Sequence, residues 1–316
     1  MTRRAVAYVA LVLLVAANAF LIARLLTRPA PEVWDQPAAV GSASADQPAG
    51  SGTPESSTPE SSTPEEPSAP EVPEPPVRLL AVASPTEAWR ATSTGCGAPA
   101  VLEHTLDAGA TWQEVPSEVS PITRLRLLDD GTLVAIGGGP DCVPTYRSTV
   151  TDGASWVTED QFLPGSWYVT PGDRTTLVTP LGEVAAPCTG AAADLAAVDA
   201  ERAAVLCADG TVDVSDDAGV TWTPATLSGS AAAVGAEAER FILAGTTPAC
   251  DGVGITFLDP AGAAVGGVSG CAATSLDAQP VAVGSTAGAA WLWVGDEVLT
   301  SVDGGVTWLA PQTGTA

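Results

Sequence analysis

The sequence has no lysine, one asparagine (Asn18), one histidine (His104) and no pair of cysteines in C-x-x-C spacing. With a single histidine and no C-x-x-C, zinc-ligand spacing is absent and no Ser-His-Asp arrangement stands out. Without a second asparagine, no N-linked sequon exists beyond the N-terminal segment. The missing lysines leave 12 arginines as the only basic side chains, against 37 Asp and Glu, for a formal charge of −25. Residues 77–316 hold 28 of the acids and 8 of the arginines, so that part is near −20. Such a surface repels nucleic acid and anionic headgroups and keeps an exported domain soluble. After residue 23 no 3.6-residue period is sustained, which argues against a helical domain. EF-hand spacing is also absent, so Asp129-Asp130-Gly131 and Asp216-Asp217 read as turns rather than calcium ligands. No metal and no cofactor is expected.

Residues 5–23, AVAYVALVLLVAANAFLIA, carry no charge. As a helix they would span about 28 Å, close to the hydrocarbon core of a bilayer. Arg3 and Arg4 precede the run, and Arg24 and Arg28 follow it. Ala17-Asn18-Ala19 looks like a signal-peptidase site, but Phe20-Leu21-Ile22 continues the apolar run beyond it. An uncleaved single-pass anchor over residues 1–28 is the expectation. Residues 29–76 are dominated by Pro, Glu, Ser, Thr and Ala, with Thr53-Pro54-Glu55-Ser56-Ser57 repeated from Thr58. This composition cannot bury a core and reads as a disordered, PPII-like spacer. The domain proper is residues 77–316, placed outside the cytoplasm at the cell membrane. Its six cysteines, Cys96, Cys142, Cys188, Cys207, Cys250 and Cys271, are an even number downstream of an export segment. That indicates disulfides, with 15 pairings open. The abundance of Ala, Gly and Val with so little Lys and Asn suggests a high-GC, actinobacterial source.

One eight-residue pattern, S/T-x-D-x-G-x-T-W, organises this domain. Thr105–Trp112 has it with Asp107, Gly109, Thr111 and Trp112. Ser215–Trp222 has it with Asp217, Gly219, Thr221 and Trp222. Ser301–Trp308 has it with Asp303, Gly305, Thr307 and Trp308. Thr149–Trp156 is a degraded copy that keeps Gly153 and Trp156 but has Thr151 for Asp and Ser155 for Thr. The residue types describe a hairpin turn. Asp accepts hydrogen bonds from backbone N–H groups of its own turn. Gly supplies a positive φ, Thr returns the chain to extended geometry, and Trp covers the turn with apolar area. The expected role of these residues is structural rather than catalytic or metal-binding.

The octads resemble the Asp-box (BNR) repeat family, and the resemblance covers roughly residues 78–316. It implies an all-β fold, a β-propeller whose Asp boxes join the third and fourth strands of each blade. The family includes sialidases, sortilin-like receptors and photosystem II assembly factors, so it does not choose a function. Asp107 and Thr151 are 44 residues apart, Asp217 and Asp303 are 86 apart, and 66 separate Thr151 from Asp217. Those spacings fit six blades, with five or seven as alternatives. Unit three, around Trp167–Val169, Thr175–Val178 and Leu181–Val184, carries no octad. About 240 residues are few for six four-stranded blades, so some blades should lack a strand. Cys96 and Cys142 precede the third strand of units one and two, which pairs them across neighbouring blades. Proximity pairs Cys188 with Cys207 and Cys250 with Cys271.

Catalytic residues are not legible. A sialidase needs an arginine cluster, a Tyr–Glu pair and an acid/base Asp. The tyrosines here are Tyr146 and Tyr168, and the arginines are Arg78, Arg90, Arg124, Arg126, Arg147, Arg174, Arg202 and Arg240. The family's R-I-P signature is missing; the nearest text is Val77-Arg78-Leu79-Leu80. Arg126 and Arg147 read as solvated strand positions or ion-pair partners, and His104 as a strand residue near the first octad. The expected function is therefore a non-enzymatic, membrane-tethered module binding an envelope protein or glycan. A divergent sialidase-like glycoside hydrolase and an assembly factor for a membrane complex are the alternatives.

Overall fold

The structure is a computed structural model that describes residues 77–237, 239–277 and 279–311. The anchor expected over 5–23 and the spacer over 29–76 lie outside the described residues. Among the described residues, no helix is long and apolar enough to cross a membrane.

Among the described residues, twenty-two short strands form six antiparallel sheets. Blade 1 is β1 (Val77–Val82), β2 (Ala88–Ser93), β3 (Val101–Thr105) and β4 (Gln113–Val115). Blade 2 is β5 (Ile122–Leu127), β6 (Leu133–Gly138), β7 (Pro144–Thr149) and β8 (Val157–Thr158). Blade 3 has only β9 (Tyr168–Val169), β10 (Thr176–Thr179) and β11 (Gly182–Ala185). Blade 4 is β12 (Ala192–Ala197), β13 (Ala203–Cys207), β14 (Val212–Ser215) and β15 (Thr223–Pro224). Blade 5 is β16 (Ser230–Glu237), β17 (Arg240–Thr247), β18 (Cys250–Leu258) and β19 (Ala264–Ala272). Blade 6 is β20 (Val281–Thr286), β21 (Ala289–Val294) and β22 (Glu297–Ser301), and Leu309 bridges to Thr300 where a fourth strand would begin. The first strands β1, β5, β9, β12, β16 and β20 each adjoin the next, and β20 adjoins β1. The ring is closed: the chain is a six-bladed β-propeller. Among the described residues, blades 3 and 6 are the ones with three strands, and blades 3 and 5 carry no octad.

The core follows from strand periodicity. Alternate side chains point to opposite faces, so each blade packs both faces against its neighbours. The buried apolar residues accordingly fall into six clusters, one per seam. Between blades 1 and 2, Leu79, Trp89 and Leu102 meet Ile122, Leu125 and Leu133. Between blades 5 and 6, Ile242, Ile255 and Phe257 meet Val283, Leu292 and Leu299. The thinnest seam lies between blades 2 and 3, where Val134 and Ile136 meet Tyr168 and Val178. Small residues let the inner strands approach closely. A Cβ on Gly235 would lie 2.6 Å from the Val283 carbonyl oxygen.

Among the described residues, the seam between blades 6 and 1 closes the ring without a shared strand. Trp291 donates its indole N–H to the Ser84 carbonyl at 3.0 Å, and its ring meets Trp112 edge-on at 6.2 Å. Arg78 and Arg90 lie over Trp293, at 4.0 and 4.7 Å from the ring centre, and Arg90 also lies over Trp112 at 4.2 Å. Glu103 holds Arg90 in place with bonds of 2.6 and 2.9 Å. Cation–π contacts of this kind add about 0.5–2 kcal/mol each.

All three disulfides form as paired from the sequence. Cys96–Cys142 joins blades 1 and 2, Cys188–Cys207 joins blades 3 and 4, and Cys250–Cys271 lies within blade 5. Gly172, at φ +75°, packs on the first of them, where a Cβ would lie 2.9 Å from Cys96 Sγ.

Candidate functional site

The four octads occupy equivalent places. Three connect the third and fourth strands of blades 1, 2 and 4, and the fourth follows β22. In blade 1, Asp107 Oδ1 accepts from the Thr111 N–H at 2.9 Å and from the Thr105 hydroxyl at 2.8 Å. Its Oδ2 accepts from the Thr111 hydroxyl at 2.6 Å, and the Gly109 N–H donates to Thr105 Oγ1 at 3.1 Å. Asp217 with Ser215 and Thr221, and Asp303 with Ser301 and Thr307, repeat these bonds. In the degraded copy, Thr151 Oγ1 accepts from the Ser155 N–H at 3.0 Å, and the Gly153 N–H donates to Thr149 Oγ1 at 3.2 Å. A hydroxyl thus takes the carboxylate's place.

These hydrogen bonds favour the ionised carboxylate. The Thr111 side chain and backbone hold Asp107 below the usual carboxylate range, and the Thr221 backbone and side chain do the same for Asp217. Asp303, bonded by the Thr307 hydroxyl, the Thr307 N–H and Ser301, is lowered to about 2. Asp107 and Asp303 are exposed and Asp217 is half-buried, yet their oxygens are occupied within the turn. The glycines face the preceding blade: Gly109 meets Trp291 and Val298, Gly153 meets Val115, Gly219 meets Thr179 and Trp167, and Gly305 meets Ile255. The tryptophans are half-buried. Trp156 donates to the Pro116 carbonyl and Trp308 to the Gly305 carbonyl, both at 2.9 Å. The Trp222 indole N–H is buried without a hydrogen-bond partner among the described residues, against the rule that a buried indole finds one.

A cavity lined by charged side chains lies on the propeller axis. Its volume is about 460 Å³, and consecutive residues of β1, β5, β12, β16 and β20 line it. Arg124, Arg126, Asp129, Asp194 and Glu237 bring the charge, and Ser285 lies at its rim. The cavity runs toward the ends of the inner strands. Since β1 and β3 run in the same direction, that is the face carrying the octads, and Val77 enters at the opposite face.

Most of these charges are already engaged. Arg124 reaches past the two-residue β9 and donates to the carbonyls of Leu195 and Ala197 on β12, at 2.5 and 3.4 Å. It spans the gap left by the short inner strand of blade 3, and burial lowers its pKa to about 10. Glu237 pairs with Arg240 at 3.0 Å and accepts from Ser285 at 3.4 Å. Asp194 is half-buried in the wall of the cavity. Burial raises its carboxyl to about 7 despite the Leu195 N–H at 2.7 Å and the charges of Arg124 and Arg174. Arg126 is exposed and has no hydrogen-bond or ion-pair partner among the described residues.

Neither tyrosine lines this cavity. Burial raises the pKa of both, aided by Glu159 at Tyr146 and Glu183 at Tyr168, which opposes phenolate formation. Arg147 pairs with Glu118 at 3.0 Å. His104 lies on β3, stacked on Trp89 at 3.7 Å with Nε2 3.2 Å from Glu87. Among the described residues, no group of three or more His, Cys, Asp or Glu side chains converges as a metal site.

Solved structures with a similar fold include YCF48 bound to D1 peptide. It is 18% identical, the alignment covers 74% of this chain and 65% of that one, and the TM-score is 0.30. The GH74 enzyme of Niastella koreensis is 18% identical over 73% of this chain and 30% of its own, at a TM-score of 0.27. The Aleuria aurantia lectin in complex with alpha-methyl-L-fucoside is 10% identical over 76% and 96%, at 0.43. The chain thus spans less than two thirds of the first two. Likenesses this distant choose no function. No protein-family model matches the sequence, and no curated protein matches it.

The axial residues Arg124, Asp194 and Glu237 were not singled out from the sequence. A signal existed: Arg78, Arg124 and Asp194 all fall early in the first strand of their units, the strand that faces the axis in a propeller.

Proposed function

We propose that the chain is a non-enzymatic binding module, tethered to the cell membrane from outside the cytoplasm, whose octad-face cavity takes a protein or glycan of the cell envelope. The observation that carries the reading is the state of the axial charges. Arg124 is committed to blade 4 across the short inner strand of blade 3, Glu237 to Arg240 of its own blade and to Ser285 of blade 6, the octad acids to their own turns, and Arg126 is left open at the mouth. Residues 5–23 supply the anchor, residues 29–76 the spacer, and the octads are read as Asp boxes of an actinobacterial protein. The test is binding of envelope glycan fragments, and co-purification from solubilised envelope, by wild type and Arg126→Glu. Loss of the ligand in the variant without loss of fold is expected; undiminished capture would reject the site. Recovery of a whole membrane complex would point to the assembly-factor reading.

One observation favours a second reading, a divergent glycoside hydrolase. Asp194, held near neutrality, and Glu237 line the same cavity, and glycoside hydrolysis uses one protonated and one ionised carboxyl. Turnover of a glycoside that Asp194→Asn abolishes would establish this reading over the first.

A further inference from the structure

A second cavity, of about 230 Å³, follows the first along β1, β12, β16 and β20 toward the face where the chain enters. Arg78, Arg174 and Gln279 line it together with alanines of β12 and β16, and Asp194 lines both cavities. Four of the eight arginines of residues 77–316, Arg78, Arg124, Arg126 and Arg174, thus sit on the axis of a domain whose charge is near −20. The interior carries the sign opposite to the surface. Arg78 donates Nη1 to the carbonyls of Pro280, at 3.1 Å, and Gly295, while its Nε is buried without a hydrogen-bond partner among the described residues. Buried N–H groups are nearly always paired, and an orphan is commonly explained by a bound water or ion. Burial also lowers the Arg78 pKa, so a nearby anion would offset a desolvation cost that the protein already bears. Arg174 donates to the carbonyls of Ala192, at 2.6 Å, and Ala193.

We propose that this second cavity binds a small aliphatic carboxylate between Arg78 and Arg174, and that Asp194 controls its occupancy. Guanidinium groups recognise carboxylates through paired N–H donors, and the alanine walls suit a short alkyl tail. Facing Asp194 are Arg124 and Arg126 of β5, Arg174 of the β9–β10 turn and, along the two cavities, Arg78, Glu237 and Asp129. An ionised Asp194 neutralises part of this charge and repels the ligand; a protonated one does not. Its carboxyl lies at about 7. If only the protonated form admits the ligand, affinity is flat below that pH and falls about tenfold per unit above it.

The test is calorimetric titration of the whole chain with sodium propionate from about pH 6 to about pH 9, a range set by the Asp194 midpoint, with 1-propanol as the neutral control. One saturable site for propionate, none for propanol and the tenfold-per-unit weakening above neutrality are expected. Asp194→Asn should bind at least as tightly and lose the pH slope, and Arg174→Gln should weaken binding more than tenfold. Absence of saturable propionate binding at the acid end, equal binding of propanol, or an unchanged slope in Asp194→Asn overturns the proposal. Should Arg174→Gln fail to fold, the near-isosteric Asp194→Asn still decides. Arg126→Glu, at the other mouth, adds a negative charge that favours protonated Asp194, so propionate should still saturate one site at the acid end while the octad-face ligand is lost, and the two sites can fail separately.

Discussion

Thr151 accepts the Ser155 N–H at 3.0 Å, close to the 2.9 Å at which Asp107, Asp217 and Asp303 accept theirs. The turn therefore needs an acceptor at that place more than it needs a charge. The charge instead makes the other turns sensitive to pH. A carboxyl whose folded pKa is depressed adds stability that is present above its unfolded pKa and is lost as pH falls through the folded value. For Asp303 that window runs from about 4, the ordinary carboxylate value, down to about 2. Urea midpoints measured across that window should fall more for wild type than for Asp303→Asn. The variant keeps an acceptor oxygen, as Thr151 does, but has no proton to take up. Equal slopes would mean that the Asp303 hydrogen bonds do not outlast solvent competition. At this scale the sequence was readable because Asp and the Thr four residues later bond to each other, and spacing alone carries such a contact. The indole of Trp222, unpaired among the described residues, was not readable, since octad indoles find different acceptors: Pro116 of blade 1 for Trp156 and Gly305 of its own turn for Trp308.

The seams explain why the octad glycines are glycines. Gly219 sits at φ +87°, and a Cβ there would lie 2.7 Å from Thr179 Cγ2 in blade 3. Gly131 has nearly the same φ, +84°, with nothing within 4 Å. Both should pay about 1–2 kcal/mol as alanine for the left-handed backbone. Gly219→Ala should cost about 1–3 kcal/mol more, the price of overpacking. Chemical denaturation of the two variants separates the terms, and equal losses would show that the seam yields. The closing seam permits a harsher test. Trp291 is fully buried between blades 6 and 1, and Trp291→Ala should cost about 3–5 kcal/mol, as large aromatic truncations do. A loss under about 1 kcal/mol would mean that the ring closes elsewhere. Strands with continuous apolar runs, such as Leu133–Ile136 and Trp291–Val294, were legible as elements. β16 was not, because Ser230–Glu237 is mostly alanine and glycine and shows no alternation. The axial place of Arg124 was readable from its position early in the first strand of its unit, but its bonds to Leu195 and Ala197 were not: they compensate for a short strand in another blade, which no local pattern announces.

At the scale of the ring, the staples flank the weakest part. Blade 3 has three strands, a two-residue inner strand and the thinnest seam. Cys96–Cys142 lies beneath its Gly172, and Cys188–Cys207 ties it to blade 4. Repetition at about 43 residues made the ring legible, and the same period placed Cys96 opposite Cys142 in neighbouring blades. The chain-entropy argument ranks the bridges by the loop each closes. Cys96–Cys142 closes 46 residues, whereas Cys188–Cys207 and Cys250–Cys271 close 19 and 21. The first should contribute about 4 kcal/mol and each of the others about 3 kcal/mol. Paired Cys→Ala variants test a second effect that loop length does not contain. Cys250–Cys271 lies within a four-stranded blade, so its loss should lower the single unfolding transition without splitting it. Loss of Cys188–Cys207 frees blade 3 from blade 4 and should let the β9–β11 amides exchange with solvent before the rest of the ring. Hydrogen exchange by mass spectrometry reads this directly. If both variants lose protection evenly around the ring, the bridges act on the unfolded chain alone, and blade 3 is held by Arg124 and its neighbours rather than by its staples.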